Sequence, residues 1–164
     1  MKHSLLLVFL LSAATATLAQ HRHVHGEGRL EAVLDKDTLT LNLELPLDAA
    51  VGFERAPKND REKAALTAAE RILNDPALFR PVAAAQCSVQ SVQVGMPAFD
   101  GSGGGHADID ATHAFRCANP AALTSVETTL FKSMKRLYRL EAQRVGPGGQ
   151  GAQRLTPNKP ALNW

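Results

Sequence analysis

Two neighbouring runs alternate between apolar and polar residues with opposite parity, and that reversal restricts how the chain can begin its fold. From His21 to Leu34 the odd positions carry His21, His23, His25, Glu27, Arg29 and Glu31, whereas Val24, Gly26, Gly28, Leu30, Ala32 and Leu34 occupy the even ones. From Thr38 to Leu47 the apolar set is odd: Leu39, Leu41, Leu43, Leu45 and Leu47. A period of two is that of a strand with one buried face. Residues opposed across an antiparallel pair share a face, so each even core residue of the first strand must meet an odd one of the second. A four-residue loop, Asp35 to Thr38, satisfies this and pairs Leu34 with Leu39, Leu30 with Leu43 and Arg29 with Glu44. Slipping to a two-residue loop sets Glu27 against Glu44, a like-charge contact, so the longer loop is expected. In this register the three histidines share the polar face, and His25 runs off the end of the hairpin towards Asp48.

The residues before that hairpin have a different character. Lys2 and His3 precede the apolar run "SLLLVFLLSAATAT", and small residues lead up to Ala19. This is the pattern of a cleaved secretory signal peptide over 1–19, leaving one domain over 20–164. No later stretch is apolar enough to cross a membrane. The formal net charge is +2, with basic and acidic residues interspersed. No basic patch offers the grip on phosphates that nucleic-acid binding needs. In an oxidising compartment the two cysteines, Cys87 and Cys117, are expected to form a disulfide, since two thiols rarely remain free there and no C-x-x-C spacing is present.

Further along, Asn59 stands three residues before Glu62 as in a capping box, and Ala65, Leu66, Ala69, Ile72 and Leu73 recur at helical spacing before "NDP". An amphipathic helix over about 60–74 is expected to cover one sheet face. "RPVAAAQCSVQSVQVG" reads as a strand with a phase change near Ser91, and "HADIDATHAFRC" as another, with Ile109, Ala111, His113, Phe115 and Cys117 on its apolar side. "ALTSVETTLFKSMKRLYRL" fits either a strand with a short helix or one continuous helix, and "RLEAQRVG" with "GAQRLTPNKPALNW" reads as a closing pair of strands. The fold class is therefore α+β: a mainly antiparallel sheet opening with a β-hairpin, one packed helix and one disulfide.

A strand bearing His-x-His presents two imidazoles on one side, able to converge on one ion such as Zn2+. His21, His23 and His25 are the first candidates, with further ligands from His106, Asp108 or a loop carboxylate such as Glu54 or Asp48. His113 shares the face of Phe115 and is expected to be a hydrogen-bonded core histidine. Imidazole must be neutral to bind a metal, so occupancy is expected to fall as pH drops through about 6.5. No nucleophile elbow, H-E-x-x-H helix or phosphate-binding loop is present, so an enzyme is not expected. Two alternatives stand beside zinc: Cu2+, which competes well for nitrogen ligands, and a metal-free envelope module that presents its sheet to a partner.

"HVHG", "PLDAAVGFERAP", "GHADIDATHAFRC" and the terminal "ALNW" together resemble a ZrgA-like family of proteins exported by Gram-negative bacteria, long catalogued as a domain of unknown function. The likeness spans the mature chain. It implies a periplasmic, zinc-binding protein made when zinc is scarce and associated with zinc uptake through an ABC importer, and it supports His23, His25, His106 and Asp108 as ligands. Two departures from the family pattern reduce the capacity implied. "DGSGGGH" replaces a long His/Asp/Glu-rich insert, and Arg55 stands where histidine is common. One or two zinc sites, rather than a store, are implied.

Overall fold

The computed structural model describes residues 24–99 and 107–164. The opening hairpin joins β1 (Glu27–Asp35) to β2 (Thr38–Pro46) in the register that the parity requires, with Leu34 opposite Leu39, Leu30 opposite Leu43 and Arg29 opposite Glu44. Asp35 and Thr38 also pair, so the turn is tighter than expected and consists of Lys36 and Asp37, with Lys36 at φ 55°. The register is unaffected, because closing one more rung adds a pair without shifting the others.

The strand begins later than the alternation suggests. His25 and Gly26 form a turn in which the Glu27 amide donates to the Val24 carbonyl at 3.0 Å, and Gly26 sits at φ 73°. A left-handed residue breaks the two-residue period, so the turn, and not the polar face of β1, positions His25. His21 and His23 lie outside the described residues.

A six-stranded sheet has the order β4-β5-β2-β1-β7-β8, with β4 (Cys87–Gly95), β5 (Asp108–Cys117), β7 (Arg139–Gly146) and β8 (Gly149–Leu155). β1 and β7 run parallel, while every other pairing among the described residues is antiparallel. A three-stranded sheet is built from β3 (Phe79–Pro81), β6 (Ser125–Thr128) and β9 (Ala161–Asn163). The run "RPVAAAQCSVQSVQVG" is thus two strands in different sheets, because a helical turn over Ala83–Ala85 and Gln86 at φ 51° redirect the chain between them. The phase change near Ser91 is a register shift between Val89 and Ser91. The ambiguous tail resolves as a strand and a short helix: β6 precedes α3 (Leu130–Ser133).

Leu39, Leu41 and Leu45 are fully buried on the apolar face of the six-stranded sheet, beside Leu30, Ile109, Phe115 and Leu140. Burying each such side chain contributes about 1.5–3 kcal/mol relative to leaving it in water. Two helices follow β2: α1 (Leu47–Val51) and α2 (Asp60–Leu73). The Asn59 side chain caps α2 by accepting from the Glu62 amide at 3.0 Å. The reciprocal half of the box is displaced by one residue, since the Glu62 carboxylate accepts from the Lys58 amide at 2.7 Å and takes both Arg55 guanidinium nitrogens at 2.7 and 2.8 Å. These bonds pull the Glu62 carboxyl down to about 2, with Arg55 the first cause. Arg55, which also stacks on Phe53 at 5.3 Å, thereby serves the helix start.

The other end of α2 meets the sheet through His113, whose Nε2 donates to the Leu73 carbonyl at 2.9 Å while its ring edge packs on Phe79. His113 is fully buried, and burial lowers its pKa, so it is a neutral core histidine. Cys87 and Cys117 are directly opposed on β4 and β5 and form the disulfide.

Gly28 marks the tightest packing at the site end of the hairpin. A Cβ there would lie 2.5 Å from Leu45 Cδ2 and 2.9 Å from Leu140 Cδ2. Gly28→Val is expected to lower stability by about 1–3 kcal/mol, because the interior cannot absorb the added volume. Urea unfolding should show a lower midpoint with an unchanged slope, and an unchanged midpoint would contradict the packing described.

Candidate metal centre

Three side chains from three short segments meet at one end of the sheet. Pro46 closes β2 and serves as the N-terminal flank of α1, placing Asp48 in its first turn. The Leu47 amide donates to the Ala107 carbonyl at 2.8 Å, fixing this corner against the start of β5. Gly52 then ends α1 at φ 90°, its amide donating to the Asp48 carbonyl at 2.8 Å, and the left-handed turn brings Glu54 back beside Asp48. His25 arrives from the turn before β1. That turn is tied to the approach to β7, because the Tyr138 amide donates to the Gly26 carbonyl at 3.0 Å.

His25 Nδ1 lies 2.8 Å from Asp48 Oδ2 and 3.8 Å from Glu54 Oε1. One ligand atom from each of His25, Asp48 and Glu54 falls within 4.8 Å of the others. The carboxylates are set in, with side chains 17% and 23% exposed, while the imidazole at 81% sits on the rim. Asp48 Oδ1 is buried and accepts no hydrogen bond from the described residues. A buried acceptor left without a donor is costly unless something else satisfies it, and a cation held by this triad would do so. One nitrogen and two oxygen donors suit zinc, whose mixed-ligand sites accept imidazole and carboxylate together.

A family model described as ZrgA family zinc uptake protein matches residues 22–164. The chain belongs to that family. No curated protein is a significant match. The description of the ZrgA family suggests a zinc-related role, and the three-residue cluster is the group among the described residues in which at least three metal-ligating side chains converge.

Of the ligand candidates suggested by the sequence, His25 and the two loop carboxylates, Asp48 and Glu54, are the ones brought together here. Asp108 lies opposite Pro46 at the start of β5, at the same end of the sheet but not in the three-residue group. His106, like His21 and His23, lies outside the described residues. Arg136 and Tyr138 line the pocket beside His25 and Asp48, although nothing in the local sequence pattern singles them out. Only the close approach of the two glycine turns to the segment before β7 signals them. A groove of ≈ 760 Å³ lies elsewhere, on the polar face of the sheet over Glu44, Asp110 and Glu141. There burial and then the charge of Glu44 raise the Asp110 pKa.

The His25 pKa is raised above 6.5, first by the hydrogen bond to Asp48, then by the charge of Asp48 and that of Glu54. In the metal-free protein the proton on Nδ1 is therefore held between imidazole and carboxylate. The sign follows directly: this pair stabilises the metal-free fold below pH 6.5 and the contribution is lost as pH rises through the raised pKa. A metal ion held by these three residues would have to take the place of that proton.

Proposed function

We propose that the protein captures zinc in the periplasm at the His25–Asp48–Glu54 centre and passes it towards the periplasmic component of a zinc ABC importer, acting as a binding protein and not as an enzyme. The observation that carries this reading is the convergence of the three ligand atoms within 4.8 Å in a member of a zinc uptake family. The disulfide and the absence, among the described residues, of any helix long and apolar enough to cross a membrane accord with a periplasmic location, as does the signal-like sequence over 1–19.

Capture and release follow from the same geometry. Two carboxylates and a neutral imidazole balance the charge of Zn2+, so the ion enters without leaving excess charge in the corner. The three donors among the described residues leave tetrahedral zinc a fourth position, and the exposed imidazole is the arm that can let go first. Calorimetric titration of the mature protein with zinc should show uptake at this centre. No zinc binding by the folded, disulfide-bonded protein would overturn the reading.

Acid should empty the site earlier than free histidine would suggest. Because the His25 pKa is raised, zinc must displace a proton at pH values above 6.5 as well as below. Zinc affinity is expected to fall about tenfold per pH unit below that raised pKa, the slope for one displaced proton. Zinc titrations from pH 5 to 8.5 (a range of about 3.5 units spanning the ordinary imidazole value) would locate the break. A break at or below 6.5 would show that Asp48 does not hold the proton.

A further inference from the structure

A pocket of ≈ 290 Å³ opens beside the centre, lined by His25, Gly26, Asp48, Gly52, Arg136 and Tyr138. Two of these residues are packed against the very turns that carry the ligands. A Cβ on Gly52 would lie 2.7 Å from the Arg136 guanidinium carbon, and one on Gly26 would lie 2.6 Å from the Tyr138 ring. Both glycines have positive φ. The missing side chains thus let an arginine and an aromatic ring pack on the turns that carry the ligands, and the arginine is the unexpected member. The Tyr138 hydroxyl is committed to Glu27 at 2.8 Å, so this residue supplies a wall. The Arg136 guanidinium forms no hydrogen bond or ion pair with a described residue, whereas Arg55 pairs with Glu62 and Arg139 with Glu27.

A like charge beside a cation site weakens cation binding unless an anion joins them. Among the described residues, the neutral imidazole, the two carboxylates and a bound zinc ion would sum to zero, and Arg136 leaves one positive charge lining the pocket. That charge matches a monoanion. A guanidinium fork pairs with a carboxylate through two parallel hydrogen bonds, and zinc accepts carboxylate oxygen in its remaining position.

We propose that the pocket binds a small free carboxylate anion, gripped by Arg136 and completing the coordination of zinc, so that the protein takes up its cargo as a zinc–carboxylate complex. This rests on the zinc-centre reading above. The position of Arg136 then has a purpose in both loading and release, since exchange of the anion for a ligand of the acceptor frees the ion.

The test uses the mature protein loaded with Co2+, whose visible absorption reports its ligands, titrated with acetate. Acetate should alter the spectrum saturably. Arg136→Gln should raise the half-saturating acetate concentration about tenfold or more, the loss of a charge-assisted pair. Arg136→Lys should fall between, and both variants should bind the metal alone as well as the parent or slightly better. A second titration uses a short blocked peptide containing one Asp; saturation by the peptide alone would overturn the free anion as ligand. Equal acetate response in the parent and Arg136→Gln, or no response in either, would overturn the inference while leaving the metal centre standing. Failure of the parent to bind Co2+ and Zn2+ would overturn both.

Discussion

His25→Ala is expected to weaken zinc binding by about 100-fold or more. Loss of outer partners of metal ligands already costs about 10–100-fold, and here the nitrogen donor of the described triad is removed outright. The two carboxylates that remain would face each other across the corner, with Asp48 Oδ1 still buried. Competition with a chelating dye would measure the affinity. Far-ultraviolet circular dichroism should be unchanged, because the 81% exposed imidazole contributes little to the core. An affinity within about threefold of the parent, less than the loss of even an outer partner, would remove His25 from the site. Asp48→Asn provides the complementary case: it keeps shape while lowering the charge, and it should also lower the pKa of His25, whose first cause is Asp48, leaving the smaller raising effect of Glu54.

Removing the disulfide should have the largest effect on stability. The two cysteines are 30 residues apart, and in the chain-entropy model opening a loop of that size costs about 3–4 kcal/mol. Cys87→Ala with Cys117→Ala is the suitable pair, since Cys117 is 1% exposed and serine would bury a hydroxyl there. For a chain of this size the melting temperature should fall by about 10 °C. β4 is an edge strand, paired only with β5 among the described strands, so its amides should exchange with solvent first. Zinc affinity of the folded variant should stay near that of the parent. The disulfide joins the end of β5 near Asp37, whereas the metal centre lies at the other end, where Asp108 faces Pro46. A melting temperature unchanged by the substitution would show that β4 is held by its ladder alone.

The parts of the fold legible in sequence are those encoded within one element or one short loop. The register of β1 and β2 followed from parity, because a one-residue slip would turn every leucine of β2 to water. The start of α2 followed from Asn59, and the place of His113 from the face it shares with Phe115. Misreadings occurred where glycine or a helical turn broke a pattern that looked continuous. Gly26 ends the alternation before His25, and the turn over Ala83–Ala85 splits an apparent single strand. The centre was partly legible for the same reason. The hairpin register points His25 towards Asp48, but no local pattern marks the carboxylates in "PLDAAVGFE" as its partners, and Arg136 carries no local signal at all.

By itself, then, the sequence determined the faces of the strands, the hairpin register, the amphipathic helix and the pairing of two cysteines. Each of these depends on side-chain periodicity or on a choice with one solution. The tertiary structure alone decided that β7 runs parallel to β1, that β3, β6 and β9 form a second sheet, and that His25, Asp48 and Glu54 share a corner with Arg136 beside it. Those residues come from separate turns whose left-handed glycines aim the chain. A direction taken by a turn acts on residues far along the sequence, and no local pattern records where they meet.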